Sequence, residues 1–256
     1  MLSNNTNGFD PAQHVWFPSE SQEAMRAYLE QVYKDKRGGI KSGFSSVDTY
    51  SPPMLPGEVT TILARPGGGK TTLLVDLARK HARMGGVPVI IQEEQPREAI
   101  VLKLLAAETG IATRVIRDGA LTEGIFHALL DGLEDVRKTG VILIGYSMGS
   151  GSRITTLSGD RVMDCMDYIR KATGGLVKPS WLGWDYLQAT PPSSPSREGK
   201  VIDTINVMKE IRDVAKYVGA PCHLAVQADR EADKIAPYIP RKEHCAWGSV
   251  IEQGSD

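Results

Sequence analysis

The sequence has almost no excess of one charge: 30 Lys and Arg residues stand against 31 Asp and Glu residues, which gives a formal net charge of −1. Such a balance gives no overall basic field of the kind expected in a protein that coats nucleic acid, which weakens nucleic-acid binding as a function but does not exclude it, because a groove or ring can concentrate lysines locally. Long apolar runs are missing too, since none reaches the ~20 residues of a membrane span. The start, MLSNNTNGFD, lacks the basic and apolar regions of a secretion signal. We therefore expect a cytoplasmic protein without a membrane segment.

Cysteine is scarce as well. The three cysteines, Cys165, Cys222 and Cys245, are far apart and form no CxxC pair or His/Cys cluster. This spacing excludes a disulfide framework and a zinc knuckle, and it favours reduced thiols in a reducing compartment.

What the sequence does contain is an alternation of short Val- and Ile-rich runs with longer helical patterns. Strands that are apolar without polar alternation are typical of a sheet buried on both faces, and intervening helices make that sheet mainly parallel. The sequence thus predicts an α/β fold with a mainly parallel twisted sheet flanked by helices. The predicted strands are 58–64, 87–92, 141–146, 180–185 and 221–227, and the predicted helices are 70–84, 97–109, 121–138, 159–173 and 200–218.

The first part of the chain has a different pattern. Residues 1–18 are polar and contain two prolines, so we expect a flexible arm. Residues 19–37 have an apolar stripe at helical spacing and end at a Gly-Gly pair, which predicts a helix. A single helix cannot form a core, so it must pack on its own domain or on a neighbour. Residues 38–256 make up the α/β domain.

A glycine-rich segment, ARPGGGKTT, lies between the first predicted strand and the helix after it. This context suits the G-x-x-x-x-G-K-[ST] phosphate loop, in which small residues turn backbone N–H groups toward phosphates at a helix N-terminus. Lys70 would reach the β- and γ-phosphates, and the Thr71 hydroxyl would ligate Mg²⁺. The predicted nucleotide-binding residues are Ala64, Arg65, Pro66, Gly67, Gly68, Gly69, Lys70, Thr71 and Thr72.

Polar residues follow three other predicted strands at their carboxyl ends, the edge where ligands bind in open α/β sheets. Asp185 ends SWLGWD and is the candidate metal carboxylate, and Gln227 ends PCHLAVQ as a candidate sensor of the γ-phosphate. Glu93 and Glu94 follow VPVIIQ. Adjacent residues cannot both face one site, so we expect only one of them to be the catalytic base, and spacing alone leaves the choice open.

A competing pattern is G-x-S-x-G in VILIGYSMGSG, the nucleophile elbow of α/β-hydrolases, with Ser147 as nucleophile. Asp185 followed by His223 or His244 would complete the triad in the right chain order. An elbow should lead directly into a helix, however, whereas here a Gly/Ser-rich loop follows, and the phosphate loop would have no use. We therefore place this hypothesis behind nucleotide binding.

Taken in order, the motifs resemble the RecA-like motor domain of DnaB-type replicative DNA helicases, a P-loop NTPase core. GIKSGFSSVD, ARPGGGKTT, EEQPREAI, WDYLQ, VQADR and GSVIEQGSD follow one another as in that family, over residues 38–256. The resemblance implies a hexameric ring that couples ATP hydrolysis to movement along single-stranded DNA and to duplex unwinding. It also implies ATP and Mg²⁺ as cofactors, and a primase or a helicase loader as partner.

The same resemblance implies a role for each matching residue. Lys70 and Thr71 would hold ATP and Mg²⁺, and Asp185 would be the aspartate on the metal side. Glu94 would be the base that activates water, and Gln227 would link the nucleotide state to loops that face DNA. The helix at 19–37 resembles the linker helix that packs on the neighbouring subunit of such rings.

Three features depart from the family pattern. No collar domain precedes the linker helix, and the chain stops at Asp256 before the strand that carries the arginine finger. The loop EHCAWGS, which ends at Gly248-Ser249, has Cys245, Ala246 and Trp247 where the family usually has polar or charged residues. We expect a truncated chain; the alternatives are another arginine, such as Arg230, as a substitute finger, or a chain that hydrolyses ATP poorly. These departures keep open a RecA- or clock-type ring that binds nucleotide without unwinding DNA. The candidate DNA contacts are Arg197, Lys200, Arg230, Arg241 and Lys242.

Overall fold

The computed structural model of the protein describes residues 18–35, 38–148, 156–196 and 199–228. It divides into two compact units, Met1–Ile40 and Lys41–Asp256. In the first unit, helix α1 (Pro18–Asp35) lies within two residues of the predicted helix at both ends. Much of its apolar stripe is exposed, including Met25, Leu29 and Tyr33.

The second unit is built on a sheet whose five described strands are all parallel. Each predicted strand is present, shortened by one or a few residues, so the predicted α/β architecture is confirmed. In space the strands lie in the order β1-β5-β4-β2-β3, which places β5 and β4 between β1 and β2. The strands are β1 (Val59–Ala64), β2 (Pro88–Gln92), β3 (Ile142–Ile144), β4 (Trp181–Asp185) and β5 (Cys222–Gln227).

Helices connect the strands, as parallel pairing requires. All five predicted helices form, and two short ones that the sequence does not predict are α2 and α5, which are too short to show a helical period. None of the described helices is both long and apolar enough to cross a membrane. The helices of this unit are α2 (Ser45–Asp48), α3 (Lys70–Arg83), α4 (Arg97–Thr109), α5 (Thr113–Arg117), α6 (Glu123–Lys138), α7 (Gly159–Ala172) and α8 (Lys200–Val218).

The main core lies between the sheet and helices α7 and α8. Trp184 and Leu224, paired in register on β4 and β5, are fully buried, and they pack in one cluster with Ile211 of α8 and Val162 of α7. Each such side chain contributes about 1.5–3 kcal/mol by leaving water. The strands are therefore fixed by apolar burial, which leaves their polar carboxyl-terminal residues together at one edge of the sheet.

Candidate functional site

The loop between β1 and α3 has the backbone shape that a phosphate loop needs. Gly67 and Gly69 have φ angles of 71° and 86°, in the left-handed region that disfavours side chains. At Gly68 an added Cβ would lie 2.9 Å from the Arg65 carbonyl oxygen, which also accepts the Gly68 N–H at 2.9 Å. The backbone thus requires glycine at all three positions, and the loop ends at the N-terminus of α3.

Lys70 is the first residue of α3 and folds back over this loop. Its Nζ lies 3.4 Å from the Arg65 carbonyl oxygen and 3.5 Å from that of Ala64, at the outer limit of hydrogen bonding. It also lies 5.9 Å from the centroid of the Tyr186 ring. These weak contacts hold the ammonium group beside the loop, where a phosphate oxygen can replace the carbonyls as its partner.

Asp185 ends β4 and meets the phosphate loop directly. The residue is 1% exposed, and the Thr71 hydroxyl donates to its Oδ2 at 2.5 Å. With its amide nitrogen turned toward Asp185, Gln92 donates to the same oxygen at 3.0 Å. The other oxygen, Oδ1, is buried and has no hydrogen-bond partner among the described residues.

The electrostatics of Asp185 reflect this position. Burial raises its pKa above the ordinary value, the hydroxyl of Thr71 opposes the rise by donating a hydrogen bond, and the negative charge of Glu94 raises the pKa further. A buried carboxylate oxygen without a partner, next to a hydroxyl and a phosphate loop, fits Mg²⁺. This cation is usually held by one or two carboxylates together with substrate phosphates.

The two adjacent glutamates point to different places. Glu93 is half-buried and its Oε1 accepts the backbone N–H of Leu157, just before α7. Burial raises the pKa of Glu93, whereas the Leu157 hydrogen bond and the charge of Arg161 lower it. Glu94 is exposed, and its charge raises the pKa of both Asp185 and Tyr186. Of the two glutamates, Glu94 is therefore the one whose charge acts on Asp185.

Gln227 ends β5 directly opposite Ala64, the first residue of the phosphate loop, and is half-exposed. Gln188 contacts its main chain: the side-chain amide donates to the Gln227 carbonyl at 3.0 Å and accepts the Gln227 N–H at 3.1 Å. Gln188 is not among the residues that the sequence predicts for the site. Its only signal in the sequence is its place in WDYLQ, three residues after Asp185.

The structure describes few of the candidate DNA contacts. Lys200 is the first residue of α8 and is exposed. Arg197, Arg230, Arg241 and Lys242 lie outside the described residues, as does the segment EHCAWGS.

The residues of the hypothetical hydrolase triad are not brought together. Ser147 donates its hydroxyl proton to the carboxylate of Glu98, not to a histidine. His223 is buried, where its Nδ1 accepts the indole N–H of Trp181 at 2.8 Å, and His244 lies outside the described residues. With Asp185 bound to the phosphate loop, the esterase hypothesis has no support in the described contacts.

A parallel sheet in this strand order, with a glycine-rich loop after β1 and a buried aspartate at the end of β4, has the RecA-like fold. Residues 39–256 match the family model described as DnaB-like helicase C terminal domain. The chain belongs to this family, as its motifs predict.

The relatives found by sequence comparison agree with the family model, since they are replicative DNA helicases. The chain is 26% identical over 234 residues to the replicative DNA helicase DnaC of Bacillus subtilis (strain 168), covering 89% of this chain and 48% of the relative. It is 25% identical over 222 residues to the replicative DNA helicase DnaB of Geobacillus stearothermophilus, covering 85% and 46%. The chain thus spans about half the length of the curated relatives it matches.

Solved structures show the same fold at lower identity. One of them, described as an ATPase domain, superposes with a TM-score of 0.79 at 15% identity, over 94% of this chain and 82% of that one. A DnaB-like replicative helicase, whose structure was described with its interactions with primase, gives a TM-score of 0.75 at 14% identity, over 92% and 54%.

Proposed function

We propose that this chain is an ATP-dependent motor domain of a DnaB-like replicative helicase, which uses ATP and Mg²⁺ to move on single-stranded DNA and unwind duplex. The observation that carries this proposal is the Thr71–Asp185 pair: a hydroxyl at the end of a phosphate loop bonded at 2.5 Å to a buried strand-end carboxylate. Because the chain belongs to the DnaB-like family, we interpret this pair as part of an ATP site.

The residues of the site divide the work of binding. The loop from Ala64 to Thr72 holds the phosphates through its backbone N–H groups, which every residue except Pro66 has, and through the ammonium of Lys70. Thr71 and Asp185 hold Mg²⁺. When bound, Mg²⁺ neutralises charge on the β- and γ-phosphates. A buried Asp185 is poised for this role, since a nearby cation removes the cost that burial places on its negative charge.

Glu94 is the residue that orients and deprotonates the attacking water. It is exposed, so it is accessible to water, and its negative charge raises the pKa of Asp185, which supports a place for it near the candidate metal site. Glu93 is occupied by the Leu157 N–H and instead ties the end of β2 to the segment before α7. Gln227, at the adjacent strand end, responds to the γ-phosphate.

Assembly into a homo-oligomer, in the form of a hexameric ring, completes the proposed function. Helix α1 exposes an apolar stripe that includes Met25 and Leu29, and we assign it the role of a linker that packs on the neighbouring copy. Helix α6 exposes Phe126, Leu130 and Leu133 at i, i+4 and i+7, an apolar face suited to receive a helix. A ring also supplies each site with residues from the next subunit, including an arginine finger.

Single-stranded DNA is the proposed polymer partner. A few basic residues per subunit are enough in a ring, and Lys200 is an exposed one at the start of α8. Arg197, Arg230, Arg241 and Lys242 complete the proposed set. A primase or a helicase loader is the proposed protein partner, by analogy with the relative whose structure was described with primase.

The test is ATP hydrolysis with and without single-stranded DNA, measured by phosphate release for the unchanged chain and for Lys70→Ala. We expect stimulation by DNA in the unchanged chain and no turnover in the variant. Turnover that survives in Lys70→Ala would contradict the phosphate-loop assignment. Turnover that DNA does not stimulate would favour the alternative, a RecA- or clock-type ring that binds nucleotide without unwinding DNA.

A further inference from the structure

The main chain at the end of β5 is hydrogen-bonded on both sides, but on only one side is the partner a β-strand. In a strand the N–H and C=O of one residue point the same way, and those of the next residue point the opposite way. Ala228 donates its N–H to the Ala64 carbonyl at 3.0 Å, so Ala228 faces β1. The main chain of Gln227 therefore faces the other side, toward β4.

On that side β4 has already ended. The register between β4 and β5 runs only as far as Trp184 opposite Leu224, and β4 stops at Asp185. Gln188 takes the place of the missing strand, since its carboxamide offers the same donor and acceptor as a peptide group. It donates to the Gln227 carbonyl at 3.0 Å and accepts the Gln227 N–H at 3.1 Å.

The turn that carries Gln188 is itself fixed. Leu187–Ala189 is a single 3-10 turn, closed by the Ala189 N–H on the Tyr186 carbonyl at 3.1 Å. The Thr190 hydroxyl donates to the same carbonyl at 3.1 Å and accepts the buried indole N–H of Trp184 at 2.8 Å. Gln188 is thus presented to β5 by a segment that begins at the candidate metal aspartate.

We propose that Gln188 is a positioning residue: its two-point contact with the Gln227 main chain, the amide clasp, sets where the Gln227 side chain points. Through the clasp, the segment after Asp185 and the end of β5 move together, while Ala64 ties the residue after Gln227 to the phosphate loop. This inference rests on the proposed ATPase function and adds the element that links its metal site to its candidate sensor. Gln188 itself need not touch nucleotide.

The clasp can be tested without any activity, by amide hydrogen exchange at two neighbouring residues. Gln188→Met keeps the length of the side chain but removes its donor and acceptor. We expect the Gln227 N–H to exchange at least about fivefold faster, because it loses the acceptor that Gln188 provides. The Ala228 N–H, which is held by Ala64 from the other side, should stay within about twofold of its original rate and is the internal control.

A matched substitution separates the clasp from the sensor. Gln227→Met removes the sensor side chain but leaves the main chain of Gln227, so exchange at that amide should not change. Both single variants should lower kcat for ATP by about tenfold with KM altered less than about twofold, since a misplaced group and a missing one act at the same step. The double variant should be no slower than Gln227→Met alone, because the clasp acts only through that side chain.

The outcomes are distinct. Unchanged exchange at Gln227 in Gln188→Met would overturn the clasp, and faster exchange with unchanged kcat, or additive losses in the double variant, would overturn its positioning role. Full turnover in Gln227→Met would overturn the sensor role and the coupling, while the exchange rates still decide whether the clasp exists. If Gln188→Met does not fold, Gln188→Asn, which is one methylene too short to span both groups, should give the same results.

Discussion

Replacing His223 by asparagine should remove an acid-sensitive contribution to the stability of the sheet. His223 lies on β5 opposite Gly183, is 8% exposed, and accepts the indole N–H of Trp181 at its Nδ1. Burial lowers the pKa of His223 to about 4, and the charge of His81 lowers it in the same direction. The native protein therefore holds this imidazole neutral, whereas the unfolded chain protonates it near pH 6.5.

The size of the effect follows from the two pKa values. Because the folded pKa is depressed, stability is complete above about pH 6.5 and is lost as the pH falls from there toward about 4. Each unit of pKa difference corresponds to 1.36 kcal/mol. Protonation of His223 in the unfolded chain should therefore lower the free energy of unfolding by about 2 kcal/mol at about pH 5, relative to about pH 7.5. Protonation also places a hydrogen on Nδ1, where the Trp181 N–H already points.

The assay is urea unfolding, followed by tryptophan fluorescence, of the unchanged chain and of His223→Asn at the two pH values. The Asn Oδ1 can accept the Trp181 N–H but does not titrate, so the variant loses ring packing at both pH values alike. Asp185 and Glu93, whose pKa values burial raises, are present in both proteins and cancel. The loss of stability on acidification should be smaller in the variant by about 2 kcal/mol. Equal losses in the two proteins would refute the reasoning.

Three further predictions concern the site and its assembly. Glu94→Gln should keep ATP binding but lower kcat by about 10²–10⁴-fold, whereas Glu93→Gln should change kcat little. Phosphate release measures kcat in both variants, and the reverse pattern would exchange their roles. Asp185→Asn should weaken Mg²⁺-dependent ATP binding by at least about tenfold in calorimetry, because it removes a carboxylate from the candidate metal site. It should not lower the thermal midpoint of unfolding, because it removes a buried charge, and a lower midpoint would contradict this. Leu29→Asp should reduce the assembly mass by light scattering, with Glu23→Ala on the opposite face of α1 as the unchanged control.

Most of the sheet was predictable because each strand can be recognised from its own residues. Runs such as VPVIIQ are apolar and β-branched, and buried parallel strands are made of such residues. The run SWLGWD is less uniform, and the structure supplies the reason: an added Cβ at Gly183 would lie 2.6 Å from the ring of Trp181. Strand order was not predictable, since pairing joins residues that are far apart in the chain.

The choice between Glu93 and Glu94 shows the same limit at the level of one residue. Spacing places both at the end of β2, and alternation along a strand says only that they point in different directions. The acceptor role of Glu93 depends on the Leu157 N–H, which lies 64 residues away in sequence. A local pattern carries no information about such a partner, so in the sequence only the family resemblance favoured Glu94.

Gln188 was beyond prediction from the sequence for a further reason. Its role depends on where β4 stops pairing with β5, because a side-chain amide can replace a strand only where the strand has ended. WDYLQ identifies the residue as part of a motif but does not say which main chain its amide meets. An unpaired peptide group that is shielded from water costs free energy, and a partner on the β4 side satisfies the main chain of Gln227. The partner is a side chain from the segment that follows Asp185, so the proposed clasp would make the two strand ends move together.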